Sequence, residues 1–383
     1  MRGHAERLNG LGTTIFAEMS ALAVATGSVN LGQGFPDTDG PDSLLEDAIA
    51  AIRAGANQYP PGRGIPALRQ AIVDHQKRFY DLSYDPDTQV LVTTGATEAI
   101  AAALLAYVEP GDEVIALEPY YDSYAAGIAF AGGHRVPVTL RAPSYRLDLD
   151  ELRAAVTPRT KVLLINTPHN PTGTVLTDFE LRGIRDLAVE HDLVVITDEV
   201  YEHLVYDDHR HIPLATYDGM ADRTVSIGSA GKTFSVTGWK IGWITGSPAV
   251  VTAVTTAKQF LTYVSGSPFQ PAVANALALG NDYFDTVRAT LQSRRDLLAD
   301  GLAELGFEVH RPAGTYFITT DIRPLGHTDG IDFCRLLPQQ TGVVAIPTQV
   351  FYDNKEAGRP LVRWAFCKKE ELLQEALARL QKL

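Results

Sequence analysis

The sequence predicts an α/β fold: a mostly parallel sheet sandwiched by helices, with a smaller α+β unit toward the C-terminus. Three observations carry this. Apolar runs rich in Val, Ile and Leu recur at 89–93, 113–117, 162–166, 193–197 and 224–227, as strands buried on both faces do. Helical patterns fall between most of them, near 97–108, 122–131, 148–156 and 177–191, and such alternation builds a parallel sheet covered by helices. After residue 280 comes one long helix, about 281–304, then short strands within 307–310, 315–319, 342–346 and 361–366 with two further helical stretches.

With 383 residues, the chain exceeds what one core normally holds. A large domain over 41–280 is expected, with a small domain assembled from 1–40 and 281–383. At the N-terminus an arm precedes a helix over 14–26, where Phe16, Met19 and Leu22 recur at helical spacing. Asn30-Leu-Gly-Gln-Gly-Phe-Pro36 is too rich in glycine for a helix interior. Helices follow at 41–54 and 68–80, joined by the loop Asn57-Gln-Tyr-Pro-Pro-Gly-Arg-Gly64. That loop contains Gly62-x-Gly64-x-x-Ala67, formally a dinucleotide fingerprint, but only Tyr-Pro-Pro precedes it where the fingerprint needs a strand.

The net charge of −13, from 46 acidic and 33 basic side chains, argues against a nucleic-acid footprint or a polybasic membrane surface. Two cysteines, Cys334 and Cys367, make no disulfide framework. Without a signal pattern or an 18-residue apolar run, a cytoplasmic protein is expected.

In sheets of this kind ligands bind outside the carboxyl ends of the strands. After 89–93 comes Thr94-Gly-Ala-Thr-Glu98, opening a helix. Small residues there leave unpaired N–H groups for an anion such as a phosphate, although Thr97 as a simple helix cap is an equal reading. Glu118-Pro-Tyr-Tyr-Asp122 follows the next strand and offers Tyr120 as an aromatic face, or as an ordinary loop tyrosine. Asn166-Thr-Pro-His-Asn-Pro-Thr-Gly173 is either a proline-rich crossover turn or a concentrated source of amide hydrogen bonds. Asp198-Glu-Val-Tyr201 ends a wholly apolar strand in a carboxylate, which is costly to bury unless a positive group meets it. A protonated pyridine nitrogen is such a group.

The fifth strand runs into Gly228-Ser-Ala-Gly231, which presents Lys232, and Lys240 follows. A surface lysine on a turn is the bland reading. A Ser229-x-x-Lys232 acylation motif needs Ser-Asp-Asn and Lys-Thr-Gly partners, and neither occurs. A lysine already condensed with an aldehyde escapes its reference pKa of about 10.4. Phosphate cradle, aromatic plate, asparagine, buried carboxylate, tyrosine and imine lysine, one at each successive strand end, together describe a pyridoxal phosphate site.

Over essentially its whole length the chain resembles the fold-type I aminotransferases of class I/II. The motifs Asn-x-Pro-x-Asn-Pro-x-Gly, Asp-Glu-Val-Tyr, and Ser-x-x-Lys with Gly-Trp-Lys-x-Gly-Trp carry that resemblance. It implies a seven-stranded sheet in the large domain, and pyridoxal 5'-phosphate as cofactor with no metal. Lys232 is then the residue that binds the cofactor covalently and shuttles the substrate Cα proton, Asp198 pairs with the ring nitrogen, and Tyr201 and Asn170 hydrogen-bond the ring oxygen. Tyr120 stacks on the ring. Gly95, Ala96 and Thr97, with Ser229 and Lys240, bind the phosphate; many relatives have arginine where Lys240 stands. Arg363 clamps the substrate carboxylate, with Asn166, Gly34 and Phe16 completing that site. Tyr59 reaches the phosphate of a neighbouring subunit, so a homodimer with shared sites is implied. Cis bonds are implied at Asn170–Pro171 and Glu118–Pro119.

Val29-Asn-Leu-Gly-Gln-Gly-Phe-Pro-Asp37, Asn57-Gln-Tyr59 and Gly231-Lys-Thr-Phe are most similar to the kynurenine/glutamine-type branch, including actinobacterial N-succinyl-diaminopimelate aminotransferases. Ser265 and Gly266 stand where mammalian-like kynurenine enzymes carry bulky residues, which points to a roomier pocket for a longer acyl-amino acid. No second arginine for a distal carboxylate is evident. The expected reaction is a ping-pong transfer from an L-amino acid to a 2-oxo acid. The same cofactor chemistry also serves a carbon–sulfur β-lyase, and the motifs do not separate the two. An aminotransferase-like ligand-sensing regulator is disfavoured by the net charge and by the absence of a helix-turn-helix stretch.

Overall fold

The five apolar runs form most of a seven-stranded sheet in the computed structural model, which describes residues 5–9, 12 and 14–383. The strands stand in the order Val90–Thr94, Ile241–Thr245, Thr224–Ser229, Val194–Asp198, Thr160–Asn166, Glu113–Glu118, His134–Thr139. All neighbours are parallel except the two pairs made by Ile241–Thr245. Two strands go beyond the five predicted. His134–Thr139 is an edge strand carrying Arg135 and Pro137, and both residues are typical of edges and dilute the apolar signal. Ile241–Thr245 has a glycine at its second position, which breaks the apolar run.

Alternation along the strands sorts their side chains into two cores. Leu91, Val114, Leu164, Ile196, Ile227 and Ile244 pack on one face against Ala99, Ala103, Ile128, Val250 and Val254. Ile115, Leu163, Ile165 and Val195 pack on the other against Leu152, Leu181, Ile184 and Leu187. The helices Gly95–Tyr107, Asp122–Ala131, Leu149–Ala155 and Asp178–Glu190 stand close to where periodicity predicts them. Thr177 and Glu180 close a capping box on the last of these. Pro248–Lys258 is an unpredicted helix; its Val- and Thr-rich sequence has modest helix propensity, and it is started by Ser247 accepting from the Val250 N–H with proline at the first turn.

A separate core combines Met19 and Leu31 with Leu298, Ile318, Phe333, Val343, Trp364 and Leu373. N-terminal and C-terminal segments thus share one interior. Val29–Asn30 pairs in parallel with Val343–Val344. An antiparallel sheet in the order Ile346–Pro347, Leu361–Ala365, Phe317–Asp321, Glu308–His310 carries Arg363 opposite Thr319 and Ile346. Among the described residues no helix is long and apolar enough to cross a membrane.

Candidate active site

A cavity of about 300 Å³ opens where the parallel strands end. Gly34, Phe16, Gly95, Ala96, Thr97, Asn166, Asn170, Asp198, Tyr201, Ser229, Lys232, Lys240 and Arg363 all line it. The Glu118–Pro119 and Asn170–Pro171 bonds are cis, as the resemblance implied.

Lys232 sits on the single helical turn Ala230–Thr233 that follows the strand Thr224–Ser229. Its Nζ donates to the Tyr316 hydroxyl at 3.0 Å, which in turn donates to the Gly34 carbonyl at 2.6 Å. Burial lowers the amine's pKa to about 8, against the opposing pull of Cys367 and Asp198. A fraction of this amine is therefore neutral at physiological pH, as a nucleophilic lysine requires.

Opposite lies a cradle of small residues. Thr94 caps the helix Gly95–Tyr107 without a side-chain hydrogen bond, and Glu98 accepts from the Thr94 N–H instead at 2.6 Å. Thr97 lies inside the helix, so the simple cap reading does not apply. Gly95 has φ +70°, and a Cβ there would stand 3.2 Å from Lys240 Nζ; a Cβ on Gly242 would strike the Gly95 and Ala96 backbone at 2.7 and 2.8 Å. Lys240, itself left-handed at φ 54°, reaches Thr97 Oγ1 at 3.3 Å. Free helix N–H groups, a hydroxyl and an ammonium group form a donor set suited to a phosphate.

Asp198 is buried, its Oδ2 accepting from the Tyr124 hydroxyl at 2.5 Å and its Oδ1 from the Val200 N–H at 3.4 Å. Burial outweighs these bonds and raises the carboxyl pKa to about 6. Asn166 Nδ2 donates to the Asp198 carbonyl at 2.7 Å, while Asn166 Oδ1 accepts from the Asn170 N–H at 2.7 Å. Asn170 Oδ1 then accepts from Arg363 Nη1 at 3.1 Å. Tyr201 is buried edge-on to Tyr316, centroids 5.2 Å apart, and burial pushes its phenol well above the usual range.

Arg363 is the chemically revealing residue. It is buried, its Nη2 donates to the Gly32 carbonyl at 2.8 Å, and its guanidinium lies 4.0 Å from the Phe317 ring centroid. Its Nε has no partner, and no carboxylate lies within ion-pair distance among the described residues. Burial lowers its pKa to about 10. A buried guanidinium without an anion is expensive, and a carboxylate entering the cavity relieves that cost.

Two sequence assignments need revision. Tyr120 does not face the cavity: its hydroxyl donates to Asp353 Oδ1 at 2.9 Å, and the Arg135 guanidinium lies 5.0 Å from its ring centroid. The neighbouring Tyr121 lines the cavity instead. Adjacent tyrosines look alike in sequence; the register of the helix Asp122–Ala131, which sends Tyr124 to Asp198, decides between them. Gly266 does not make room in this cavity, since neither it nor Ser265 lines it. Its φ is +67° and a Cβ would meet Ile241 Cδ1 at 2.2 Å, so local backbone and packing require the glycine. Tyr59 also lies outside the cavity, 82% exposed and edge-on to Tyr263 at 5.8 Å. Gln33, Phe35, Val200, Thr237 and Phe317 join the lining without having been singled out; of these, Gln33 and Phe35 lie in the glycine-rich 30–36 stretch, whose composition was the available signal.

The donor set fits a phosphate-bearing aromatic aldehyde with a basic ring nitrogen. A Cβ at Gly95 or Gly242 would crowd the cradle, a carboxylate stands buried beside the lysine, and an orphaned guanidinium nitrogen awaits an acid. Comparisons agree. The chain is 54% identical to a probable N-succinyldiaminopimelate aminotransferase of Mycobacterium tuberculosis, covering 98% of each protein. The solved structure of N-succinyldiaminopimelate aminotransferase from that organism superposes with a TM-score of 0.97 at 55% identity, over 99% of both chains. A methionine aminotransferase of Escherichia coli is 38% identical over 98% of this chain and 97% of its own. Kynurenine–oxoglutarate transaminase 3 of Mus musculus is 37% identical over 97% and 88%. Residues 26–380 match the family described as aminotransferase class I and II, which implies pyridoxal phosphate. The chain is a member of the class I and II aminotransferases.

Proposed function

We propose that this aminotransferase holds pyridoxal 5'-phosphate in the strand-end cavity and transfers the amino group of N-succinyldiaminopimelate to 2-oxoglutarate. The observation that carries the acid-binding half of this reading is the buried, anion-free Arg363 facing the same cavity as Lys232. The substrate pair is supported by the 54% identity to the mycobacterial relative. When bound, the cofactor supplies an aldehyde for the amino group and a ring that accepts electron density from the substrate Cα. The chain's own residues do the rest. Lys232 Nζ anchors the cofactor and moves the Cα proton. The Asp198 carboxylate keeps the ring nitrogen protonated, and Tyr201 and Asn170 bond the ring oxygen. Gly95, Ala96, Thr97, Ser229 and Lys240 bind the phosphate. Tyr121, rather than Tyr120, covers the ring. Arg363 fixes the substrate carboxylate, with Asn166, Gly34 and Phe16 closing around it.

The test is a panel of amino donors against 2-oxoglutarate and pyruvate. N-succinyldiaminopimelate is expected to give the highest kcat/KM; higher values for kynurenine or methionine reassign the substrate. Release of pyruvate and ammonia from cysteine conjugates in preference to transamination would make the chain a β-lyase. The two cysteines are both free and buried, and we place the protein in the cytoplasm.

Replacing Arg363 by lysine keeps the charge but removes the fork. Two charge-assisted bonds become one, worth about 1.5–3 kcal/mol, so kcat/KM for α-amino acids should fall about ten- to a hundredfold. Cofactor content should not change. An alkylamine donor lacking the carboxylate is the control and should react equally with both proteins; an equal loss for both donors would remove Arg363 from the carboxylate site.

We further propose a homodimer with shared sites, supported by the exposed Tyr59 packed edge-on to the exposed Tyr263. Tyr59→Ala and Lys232→Ala chains, each inactive, should regain activity on mixing, because one site of each heterodimer draws Lys232 from one chain and Tyr59 from the other. Subunit exchange without recovery would leave Tyr59 a within-chain residue.

A further inference from the structure

The turn that carries Asp198 and Tyr201 continues into Glu202 and His203, and these two meet His75 from the helix Pro66–Tyr80. His75 Nε2 and His203 Nε2 are 2.9 Å apart, and His75 Nε2 lies 3.7 Å from Glu202 Oε1. One ligand atom from each of the three residues falls within 4.8 Å of the others. None of the three lines the strand-end cavity. The side chains of His75 and Glu202 are 1% and 3% exposed, and His203 is only half-buried. Phe79 and Phe284 wall the group, their ring centroids 4.7 and 4.5 Å from that of His203.

We propose that His75, His203 and Glu202 bind a divalent ion of the zinc class, ligated by the two Nε2 atoms and a Glu202 oxygen. Three arguments meet here. The first is charge: a carboxylate in an aromatic-walled interior needs a cation, and among the described residues no lysine or arginine ion-pairs with Glu202. Glu199, three residues earlier and also buried, has His211 Nε2 at 3.2 Å, so Glu202 is the carboxylate left to the two imidazoles. The second is geometry: zinc–nitrogen bonds of about 2.0–2.1 Å in a tetrahedron set ligand atoms roughly 3.3 Å apart, and the separations of 2.9 and 3.7 Å lie on either side of that. The third is donor type. Two imidazoles with one carboxylate suit zinc, leaving one position for water. Such an ion ties the helix that follows the Tyr59 loop to the turn that presents Asp198 and Tyr201, and so braces the cofactor pocket from outside it.

The experiment uses full-length, tag-free holoenzyme grown with added zinc and exchanged into metal-free buffer. Elemental analysis should find about one zinc per chain, falling at least tenfold in both His75→Ala and Glu202→Gln. Cobalt(II) added to metal-stripped wild type should give the visible bands of a tetrahedral site, and zinc should raise the thermal midpoint by about 3 °C at a hundredfold excess over its dissociation constant. Should His75→Ala not fold, the cobalt titration compared between wild type and Glu202→Gln carries the decision. Zinc below about 0.1 per chain together with no cobalt band, or unchanged zinc in the two variants, overturns the site; the three residues are then a hydrogen-bonded His–His–Glu cluster.

Discussion

Replacing Lys232 by alanine should lower transamination at least about 10⁴-fold, the upper range for losing a positioned proton carrier, with the covalent anchor lost as well. The fold should survive. Lys232 occupies one short turn and contributes one hydrogen bond, to Tyr316, and no ion pair among the described residues. The variant should still hold the cofactor non-covalently, because the phosphate donors lie on other residues. Borohydride reduction of the loaded wild type should leave a stable label on the peptide carrying Lys232; a label on Lys240 would reverse the assignment. Cofactor capture by the cofactor-free wild type should also depend on pH. The attacking species is the neutral amine, and burial brings its pKa down to about 8. The capture rate should therefore rise with pH toward 8 and level off above it. A rate still climbing steeply beyond pH 9 would mean the amine is not the one in this cavity.

The parallel sheet was legible because its strands are buried on both faces and therefore read as unbroken apolar runs. Its limits follow from the same physics. His134–Thr139 lies at the edge, where Arg135 pairs with Asp353 and the apolar run is interrupted, and Ile241–Thr245 is broken by a glycine that the Gly95–Ala96 backbone requires. The site was legible where chemistry falls on a strand end: Asp198, Lys232 and Asn170 are each placed by their own strand. It was not legible where placement comes from packing between distant segments. Tyr316 reaches Lys232 from 84 residues away in sequence, and Tyr124 reaches Asp198 from 74. That Tyr121 and not Tyr120 lines the cavity is of this kind, with Arg135 and Asp353 holding Tyr120 from behind. Gly266 shows the opposite hazard, a small residue read as pocket volume when its own backbone demands it.

One of those long-range contacts, from Tyr124, ends on Asp198, where the second large effect is expected. Asp198→Asn keeps the side chain's shape and an oxygen for the Tyr124 hydroxyl, yet removes the charge. Turnover should fall about 10³-fold or more, roughly 4 kcal/mol of barrier, because the ring nitrogen loses the anion that keeps it protonated. Cofactor content should fall far less. A loss under about tenfold, ~1.4 kcal/mol, would put the carboxylate elsewhere. Stability should move the other way. In the cofactor-free protein burial raises the Asp198 pKa from 3.8 to about 6, so the unfolded chain ionises first as pH rises. The folded state then loses stability between about pH 4 and 6 and stays penalised above that, by an upper limit of about 3 kcal/mol. Asparagine carries no such penalty. The cofactor-free variant should match wild type near pH 4 and melt higher above pH 6. Loading the cofactor should reverse the order, since a cationic ring nitrogen repays the buried carboxylate and has nothing to repay in asparagine. Thermal melts of both proteins, with and without cofactor, at pH 4.5 and 7.5 decide it: if the variant is no more stable than wild type at the higher pH without cofactor, Asp198 does not carry a buried charge awaiting a partner.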